Sequence, residues 1–552
     1  MSSLTRRRCA GLAAAVALAI GGAVAAPVAT AAPVSAIIAA DTTETVNTAT
    51  IDANATSTLT IHKLSQTESN GTSAGNGLED SSATGDPVSG VTFTVTKLNF
   101  DLTTQAGWQA LADLNGSAAA AADYKTSTVY TDTTNGSGLA TFSDLPVGAY
   151  LVSESSTPAN VTPAEDFIVT LPMTDPTDQA AWNYDVHVYP KNSIVDSKKE
   201  VSDVTSPSVG DTVTYTIKAD VPKLDVAGGA TIKNYQIVDP LDPRLDYSDT
   251  TVSMIGEGAV SLAEGTDYSI VSAAGADGKT YVTVTFTEAG RKKIAEARDA
   301  GDASTQVQVV INAVVKEISS GSSAISNEAY LIPNDSQTSW DPERPTPDVP
   351  GEPSDEVNSY FGKVAITKTG TDNAEAAKYA GAQFQVYQCT PTGASQGGVV
   401  KRADAGIKGD ALTATEVVGG TATAETATFT TGSDGTVTID GLQTNDFINN
   451  ADVASPDWYC LVETKAPEGY ELQNGVITFQ VLKANVIANT DADGNVLAYT
   501  LDVTVTDVPS NAGFRLPLTG ANGILFVTVA GILLVAGAVL LAVYNKRRSA
   551  EG

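Results

Sequence analysis

Apolar and polar residues alternate along most of this chain, which is the pattern of strands that bury one face. The alternation is clearest in residues 209–217, 307–311 and 363–368. Helical periodicity is confined to two stretches, residues 105–115 and 287–299. The pattern therefore predicts an all-β protein built from several sandwiches, with two short helices.

Two segments repeat the same order of strand patterns, which indicates two copies of one sandwich. Each copy has a lysine-bearing strand, then a Gly-(Ala/Val)-x-Phe strand, a Gly-x-(Ala/Val)-Thr strand and a Tyr-x-(Val/Leu)-x-Glu strand. A unit with a different pattern lies between them, and five prolines within residues 341–353 predict a stiff, extended connector. The predicted units are a first domain at 50–192, a middle domain at 193–335, a Pro-rich linker at 336–357 and a last domain at 358–510.

Both ends of the chain carry patterns of protein export. Three arginines at 6–8 precede an apolar stretch and small residues, which predicts a secretory signal peptide over residues 1–31. An apolar run at 524–544 is about as long as a bilayer is thick and precedes a basic tail at 545–552. We therefore expect an exported precursor with a membrane segment and a cytoplasmic tail.

Charge and composition narrow the possible functions. The net charge of −32 is unsuited to binding nucleic acid or anionic lipid. Of the three cysteines, Cys9 lies in the predicted signal peptide, so Cys389 and Cys460 are predicted to form a disulfide outside the cell. With only two histidines and no hydrolase motif, we expect no metal, no cofactor and no enzymatic activity on a substrate.

Three motifs point to one family. Residues 516–520 read Leu516-Pro517-Leu518-Thr519-Gly520. Residues 182–192 read Trp-Asn-Tyr-Asp-Val-His-Val-Tyr-Pro-Lys-Asn, and residues 459–470 read Tyr-Cys-Leu-Val-Glu-Thr-Lys-Ala-Pro-Glu-Gly-Tyr. They resemble the LPxTG sorting signal, the WxxxVxVYPK pilin motif and the YxLxETxAPxGY E-box of the major (backbone) pilins of Gram-positive sortase-assembled pili. The three domains resemble the B-type, A-type and B-type Ig-like domains of collagen adhesins.

The resemblance implies covalent assembly. A pilus-specific sortase would cut between Thr519 and Gly520, and the Lys191 amine of the next identical subunit would take over the Thr519 carboxyl. A housekeeping sortase would attach the fibre to peptidoglycan, and minor pilins would join it, giving a secreted, wall-anchored surface fimbria. The alternative is a wall-anchored adhesin or minor pilin that binds host matrix or glycan. Lys191 favours a backbone subunit in the shaft of the fibre, because a subunit at the tip needs no acceptor amine.

The resemblance also implies an internal amide between a lysine and an Asn or Asp in each sandwich, promoted by a buried acid. The implied acids are Glu463, Asp239 and, in a degraded E-box, Glu154. The implied pairs are Lys363–Asp507 with Lys368 as the alternative lysine, Lys199–Asn327 with Lys198 as the alternative, and Lys63–Asn183. Lys363 and Lys368 have opposite parity, so only one of them can face inward.

Overall fold

The computed structural model describes residues 51–67, 75–178, 181–204, 209–316, 322–333, 340–510 and 534–541. The predicted signal peptide, the sorting pentapeptide 516–520 and the basic tail lie outside the described residues. Of the expected membrane segment, only residues 534–541 are described, and they are helical. Within the described ranges, the helices are too short or too polar for any of them to cross a bilayer.

The N-terminal domain is a sandwich with a helical insertion between its third and fourth strands. Its elements are β1 (Thr56–His62), β2 (Leu64–Ser65), β3 (Thr92–Leu98), α1 (Gln105–Ala112), α2 (Ala118–Ala121), a 3₁₀ turn (Ala122–Tyr124), β4 (Lys125–Thr133), β5 (Leu139–Pro146), β6 (Gly148–Ser156), β7 (Val161–Thr162), β8 (Phe167–Leu171), β9 (Met173–Thr174), β10 (Trp182–Asn183), β11 (Asp185–Val188) and β12 (Lys191–Ile194).

Two sheets enclose the core of this domain. The sheet β4-β3-β6-β8 packs against β11-β1-β5, and β2-β12-β7 forms a small third sheet at one end. Helix α1 begins after Thr104, whose hydroxyl accepts a hydrogen bond from the Gly107 amide, as a preferred N-cap residue does. It packs with α2 on the outer face of the four-stranded sheet through Leu111 and Ala121, so the predicted first helix is confirmed.

The middle domain has the strict alternation seen in the sequence. Its elements are β13 (Ser197–Ser202), β14 (Thr212–Asp220), β15 (Gln236–Leu241), β16 (Leu245–Ile255), β17 (Tyr268–Ala274), β18 (Thr280–Phe286), α3 (Glu288–Ala300), β19 (Gln306–Val315), β20 (Ala324–Asn327), β21 (Tyr330–Ile332) and β22 (Glu352–Pro353). The sheets are β13-β14-β19-β16 and β17-β18-β15-β21-β22. Helix α3 is the second predicted helix, and Ile294 anchors it in the core.

The Pro-rich segment folds against the middle domain instead of extending between domains. The Trp340 ring packs 5.7 Å from the Tyr281 ring, and its indole N–H donates to the Thr283 hydroxyl at 3.1 Å. Strand β22 then pairs with β21. Trp340 and β22 hold the two ends of the Pro-rich segment against the middle domain, so the segment between them forms a loop.

The C-terminal domain is the second copy of the first sandwich type. Its elements are β23 (Val357–Gly370), a 3₁₀ turn (Ala376–Tyr379), β24 (Gln383–Cys389), β25 (Gly398–Lys401), a 3₁₀ turn (Arg402–Asp404), β26 (Ile407–Lys408), β27 (Ala414–Val418), β28 (Thr421–Thr426), β29 (Phe429–Thr430), β30 (Thr436–Gln443), β31 (Phe447–Ile448), β32 (Ala451–Asp452), β33 (Trp458–Lys465), β34 (Gly475–Phe479), α4 (Lys483–Ala488) and β35 (Thr500–Asp507).

Strand β23 belongs to two domains. Its first residues pair with β20, and Val357 and Phe361 are buried in the middle-domain core. Its remaining residues pair with β30 and, in parallel, with β35. Beside this junction the buried Asp203 carboxylate accepts hydrogen bonds from the Ser359 hydroxyl at 2.6 Å and the Asn449 amide at 2.7 Å. One continuous strand and a buried polar contact therefore join the middle and C-terminal domains.

Candidate functional site

The C-terminal domain contains a buried lysine between two carboxyl groups. The Lys368 ammonium on β23 lies 2.7 Å from an Asp507 oxygen on β35 and 3.7 Å from a Glu463 oxygen on β33. All three side chains are at most 1% exposed. Burial is the main cause that raises the pKa of Glu463 to about 7, and it also raises the pKa of Asp507. A proton is therefore available within this cluster near neutral pH.

The preference for Lys363 in this cluster was wrong. Its ammonium lies 3.2 Å from an Asp440 oxygen, away from Asp507. Val364 and Ile366 are fully buried, and Lys368 shares their parity along the strand, whereas Lys363 points to the opposite face. The sequence contained this signal, because the apolar neighbours mark which lysine faces inward.

The middle domain has a similar cluster with a single carboxyl group. The Lys199 ammonium on β13 lies 2.6 Å from an Asp239 oxygen on β15, and both side chains are fully buried. Burial lowers the pKa of Lys199, and the Asp239 carboxylate opposes that shift. Lys198 is exposed on the other face of β13.

Asn327 on β20 is also buried, at 2% exposure. It lies close enough to the Tyr215 hydroxyl to oppose the raised pKa of that buried phenol. Neither polar atom of its side chain, however, makes a hydrogen bond of normal geometry to a described residue. A buried carboxamide without such partners is costly in a simple packing role.

The N-terminal cluster uses a different asparagine from the one expected. The Lys63 ammonium lies 2.6 Å from a Glu154 oxygen and 2.5 Å from the Asn192 side-chain oxygen, and the Asn192 amide donates to Glu154 at 2.6 Å. Burial lowers the pKa of Lys63, and Glu154 opposes the shift. Asn183 is not in this cluster, because it lies on β10 and its amide donates to the Gly77 carbonyl.

Asn192 was missed in the sequence, although its position offered a signal. It lies on the last strand of its domain, as Asp507 does in the C-terminal copy. In the N-terminal and C-terminal domains, the cluster joins a lysine at or beside the first strand to an Asn or Asp on the last strand. In the middle domain, the buried Asn327 lies on the late strand β20.

Lys191 begins β12, directly before Asn192. Its α-carbon is paired with that of Leu64, its side chain is half-buried, and burial lowers its pKa. The preceding Tyr189 accepts a hydrogen bond from the Asp80 amide at 2.5 Å. Thr519, its expected partner in another subunit, lies outside the described residues.

The predicted disulfide is confirmed. Cys389 on β24 and Cys460 on β33 are bonded, with α-carbons 5.9 Å apart. The bond crosses neighbouring strands, three residues before Glu463. In the portion of the chain that the structure describes, no group of three or more His, Cys, Asp or Glu side chains is arranged to hold a metal ion.

Family models match four successive parts of the chain. Residues 54–193 match the Gram-positive pilin subunit D1 N-terminal domain, and residues 195–338 match the Sgo0707 N2 domain. Residues 362–495 match a prealbumin-like fold domain, and residues 508–551 match the LPXTG cell wall anchor motif. The chain thus has the domains of a pilin subunit followed by a wall anchor.

Whole-length relatives agree with these matches. The chain is 49% identical to the fimbrial subunit type 1 of Actinomyces viscosus, with 99% of both chains covered. It is similar to the solved full-length major pilin SpaD of Corynebacterium diphtheriae, at 31% identity and a TM-score of 0.60, covering 84% of this chain and 99% of that one. The fimbrial protein FimP of Actinomyces oris gives 46% identity and a TM-score of 0.53, covering 83% and 99%. The chain therefore belongs to the family of major pilin (fimbrial) subunits of Gram-positive bacteria, which are anchored to the cell wall.

Proposed function

We propose that this chain is the backbone subunit of a covalent fibre, in which the Thr519 carboxyl of one copy is joined to the Lys191 amine of the next. A sortase thiol attacks the Thr519 carbonyl, the Thr519–Gly520 bond breaks and the Gly520 amine leaves. The neutral Lys191 amine then attacks the thioester and expels the thiol. One peptide bond is exchanged for one isopeptide bond, so no energy source beyond the precursor is needed.

The environment of Lys191 supports this role. A lysine of ordinary pKa, about 10.4, is almost entirely protonated at neutral pH and therefore a poor nucleophile. Partial burial lowers the pKa of Lys191 and makes the neutral amine more accessible. Its backbone is fixed at the start of β12, which limits the positions that the amine can adopt.

We infer that each domain also closes an internal amide, namely Lys63–Asn192, Lys199–Asn327 and Lys368–Asp507. Burial favours a neutral amine and a protonated acid over an ion pair. The acid, which is Glu154, Asp239 or Glu463, donates its proton to the acceptor carbonyl while the amine attacks. The two Asn acceptors release ammonia, and the Asp507 acceptor releases water.

The observation that carries this proposal is the repetition of one arrangement. In three sandwiches a fully buried lysine lies within 4 Å of a buried carboxyl group, between the start and the end of the domain. A buried ion pair is a weak source of stability, so its recurrence at the same place favours a chemical role. A crosslink here would resist extension, which suits the shaft of a fibre.

Intact-mass measurement of a soluble fragment, residues 32–515, tests the internal bonds. After reduction of the Cys389–Cys460 disulfide, two Lys–Asn amides and one Lys–Asp amide should lower the mass by about 52 Da in total. Lys199→Met should restore about 17 Da, whereas the matched control Lys198→Met should restore nothing. A wild-type mass equal to that of the plain sequence would reject the amides.

Polymerisation is tested separately on denaturing gels of cells that express the full chain with its sortase. Lys191→Ala should abolish the high-mass ladder, while Lys125→Ala, at an exposed site in the same domain, should leave it intact. A ladder that persists without Lys191 would contradict the proposed linkage. A wild-type chain that never forms a ladder would favour the alternative of a wall-anchored adhesin or minor pilin.

A further inference from the structure

The only two histidines of the chain contact each other beside Lys191. His62 is the last residue of β1 and His187 lies on the adjacent strand β11. Nε2 of His62 and Nδ1 of His187 are 2.9 Å apart, which is a hydrogen-bond distance. For this bond to exist, one nitrogen must carry a proton and the other must not.

The pair also supports the tyrosine of the pilin motif. The His62 ring stacks on the Tyr189 ring, with centroids 4.4 Å apart and planes inclined by 18°. On the other side of β11, the His187 amide donates to the Gly77 carbonyl, and the Asp80 amide donates to the Tyr189 hydroxyl. The histidines and residues 77–80 thus hold Tyr189 from two sides.

Three consecutive residues of the β1–β2 edge contact the end of the pilin motif. His62 stacks on Tyr189, the Lys63 side chain contacts Asn192, and Leu64 pairs with Lys191. The Leu64 amide also donates to the Pro190 carbonyl at 3.2 Å. Of these three contacts, the one made by His62 involves a group that titrates near neutral pH.

We propose that the His62–His187 pair positions the Tyr189–Lys191 corner and makes the presentation of Lys191 to the sortase dependent on pH. When both rings are neutral, or when only one of them is charged, a single proton can lie between the two facing nitrogens, and the hydrogen bond keeps the rings together. With a proton on each, two donors face each other and two positive charges repel. His62 then leaves Tyr189, and the corner loses one of its two supports. This inference rests on the proposed role of Lys191.

Burial and the neighbouring charges determine whether a fall in pH stabilises or destabilises the histidine pair. Burial and the His187 charge lower the pKa of His62, and Glu79 opposes them. Asp185 lies 3.6 Å from Nε2 of His187. Because the folded pKa of His62 lies below its unfolded value of about 6.5, its contribution to stability is present above that value. That contribution is lost as the pH falls through the folded pKa.

Nuclear magnetic resonance of the untagged soluble fragment with labelled histidine tests the pair directly, because the signals come from only two histidine rings. The wild type should show two coupled titrations, with the His62 step below the ordinary value of about 6.5. His187→Gln should bring the His62 midpoint back towards that value. Two independent titrations near the ordinary pKa, unchanged in the variant, would overturn the inference.

The effect on assembly is measured with purified sortase and His62→Phe, which keeps an aromatic ring on Tyr189 but removes the charge. At each pH, the rate of ladder formation by the variant is divided by the wild-type rate. The pH dependence of the sortase itself affects both rates equally and therefore drops out of this ratio. This ratio should rise about threefold between about pH 7.5 and pH 5.5, because only the wild-type corner is released by acid. His62→Gln, which loses the ring as well, should be slower than wild type at the higher pH. A constant ratio for His62→Phe would overturn the inference, whereas a ladder that survives Lys191→Ala would instead reject the proposed function.

Discussion

The N-terminal and C-terminal domains repeat one sandwich pattern but differ by one carboxyl group in their buried clusters. Lys63 faces Glu154 and the neutral Asn192, whereas Lys368 faces Glu463 and the ionisable Asp507. The same position near the end of the domain therefore holds a carboxamide in one copy and a carboxyl in the other. If both clusters form amides, this single difference changes the leaving group and the number of protons that must be present.

The reactive forms of the two clusters differ in the number of protons that they bind relative to their charged forms. In the N-terminal cluster, a neutral amine beside a protonated Glu154 holds as many protons as the resting ion pair. In the C-terminal cluster, the reactive form needs two protonated carboxyls beside the neutral amine, because a carboxylate is a poor acceptor. A charged lysine with both carboxylates ionised holds one proton fewer. Formation of an amide in the C-terminal domain would therefore require one proton more than formation of an amide in the N-terminal domain.

The largest expected effect is the loss of the C-terminal crosslink when Lys368, but not Lys363, is replaced on β23. Lys368→Met should remove the mass loss of about 18 Da from the C-terminal domain and lower its free energy of unfolding by roughly 5 kcal/mol, because a long covalent loop is opened. Intact mass and chemical denaturation measure the two effects. Lys363→Met is the matched control and should keep the mass loss. The assignment fails if Lys363→Met, and not Lys368→Met, restores the full mass.

The next effect is the pH dependence of bond formation in a wild-type fragment that is recovered unfolded from inclusion bodies, before any amide has formed, and then allowed to fold. Burial raises the pKa of Glu463 to about 7 and also raises the pKa of Asp507, so the Glu463 proton is lost above about pH 7. The rate in the C-terminal domain should fall by up to tenfold per pH unit above about pH 7, while that in the N-terminal domain should stay nearly constant. Timed proteolysis and mass spectrometry follow both bonds in one sample. Parallel profiles would contradict the proton count.

The smallest expected effect comes from exchanging the Asp and Asn acceptors between the two domains. Asp507→Asn should still form an amide, now with loss of about 17 Da, and should remove the decline of its rate above neutral pH. Asn192→Asp should give the N-terminal domain that decline. The same timed mass measurement reports both variants. If Asp507→Asn formed its bond with the wild-type pH profile, the acceptor would not be the origin of the difference.

Much of this arrangement could be predicted from the chain alone. Alternation predicted the sandwiches, helical periodicity predicted both longer helices, and the cysteine count predicted the disulfide that the structure confirms. Lys199 was preferred over Lys198, and the structure places it beside Asp239. These features depend on local periodicity or on a small number of candidates, which a sequence displays directly.

The features that were missed depend on contacts between distant residues. Asn192 was overlooked because it is 129 residues from Lys63 in the chain and adjacent to the more conspicuous Lys191. The Pro-rich segment was expected to extend, but Trp340 anchors it beneath Tyr281. The two histidines were considered only as candidate metal ligands or catalytic residues, and their pairing follows from the parallel register of β1 and β11. The choice of Lys363 could have been corrected without a structure, from the parity of Val364 and Ile366.

Strand β23 has a mechanical consequence for a fibre made of such subunits. Its first residues pair with β20, the strand that carries Asn327, and its last residues lie beside Asp507. A pull on the tail of the subunit would travel along one backbone ladder from one sandwich into the next, without a flexible joint between them. The two domains should consequently bend as a single rod about 300 residues long, and most of the curvature of the shaft would arise at the other joints.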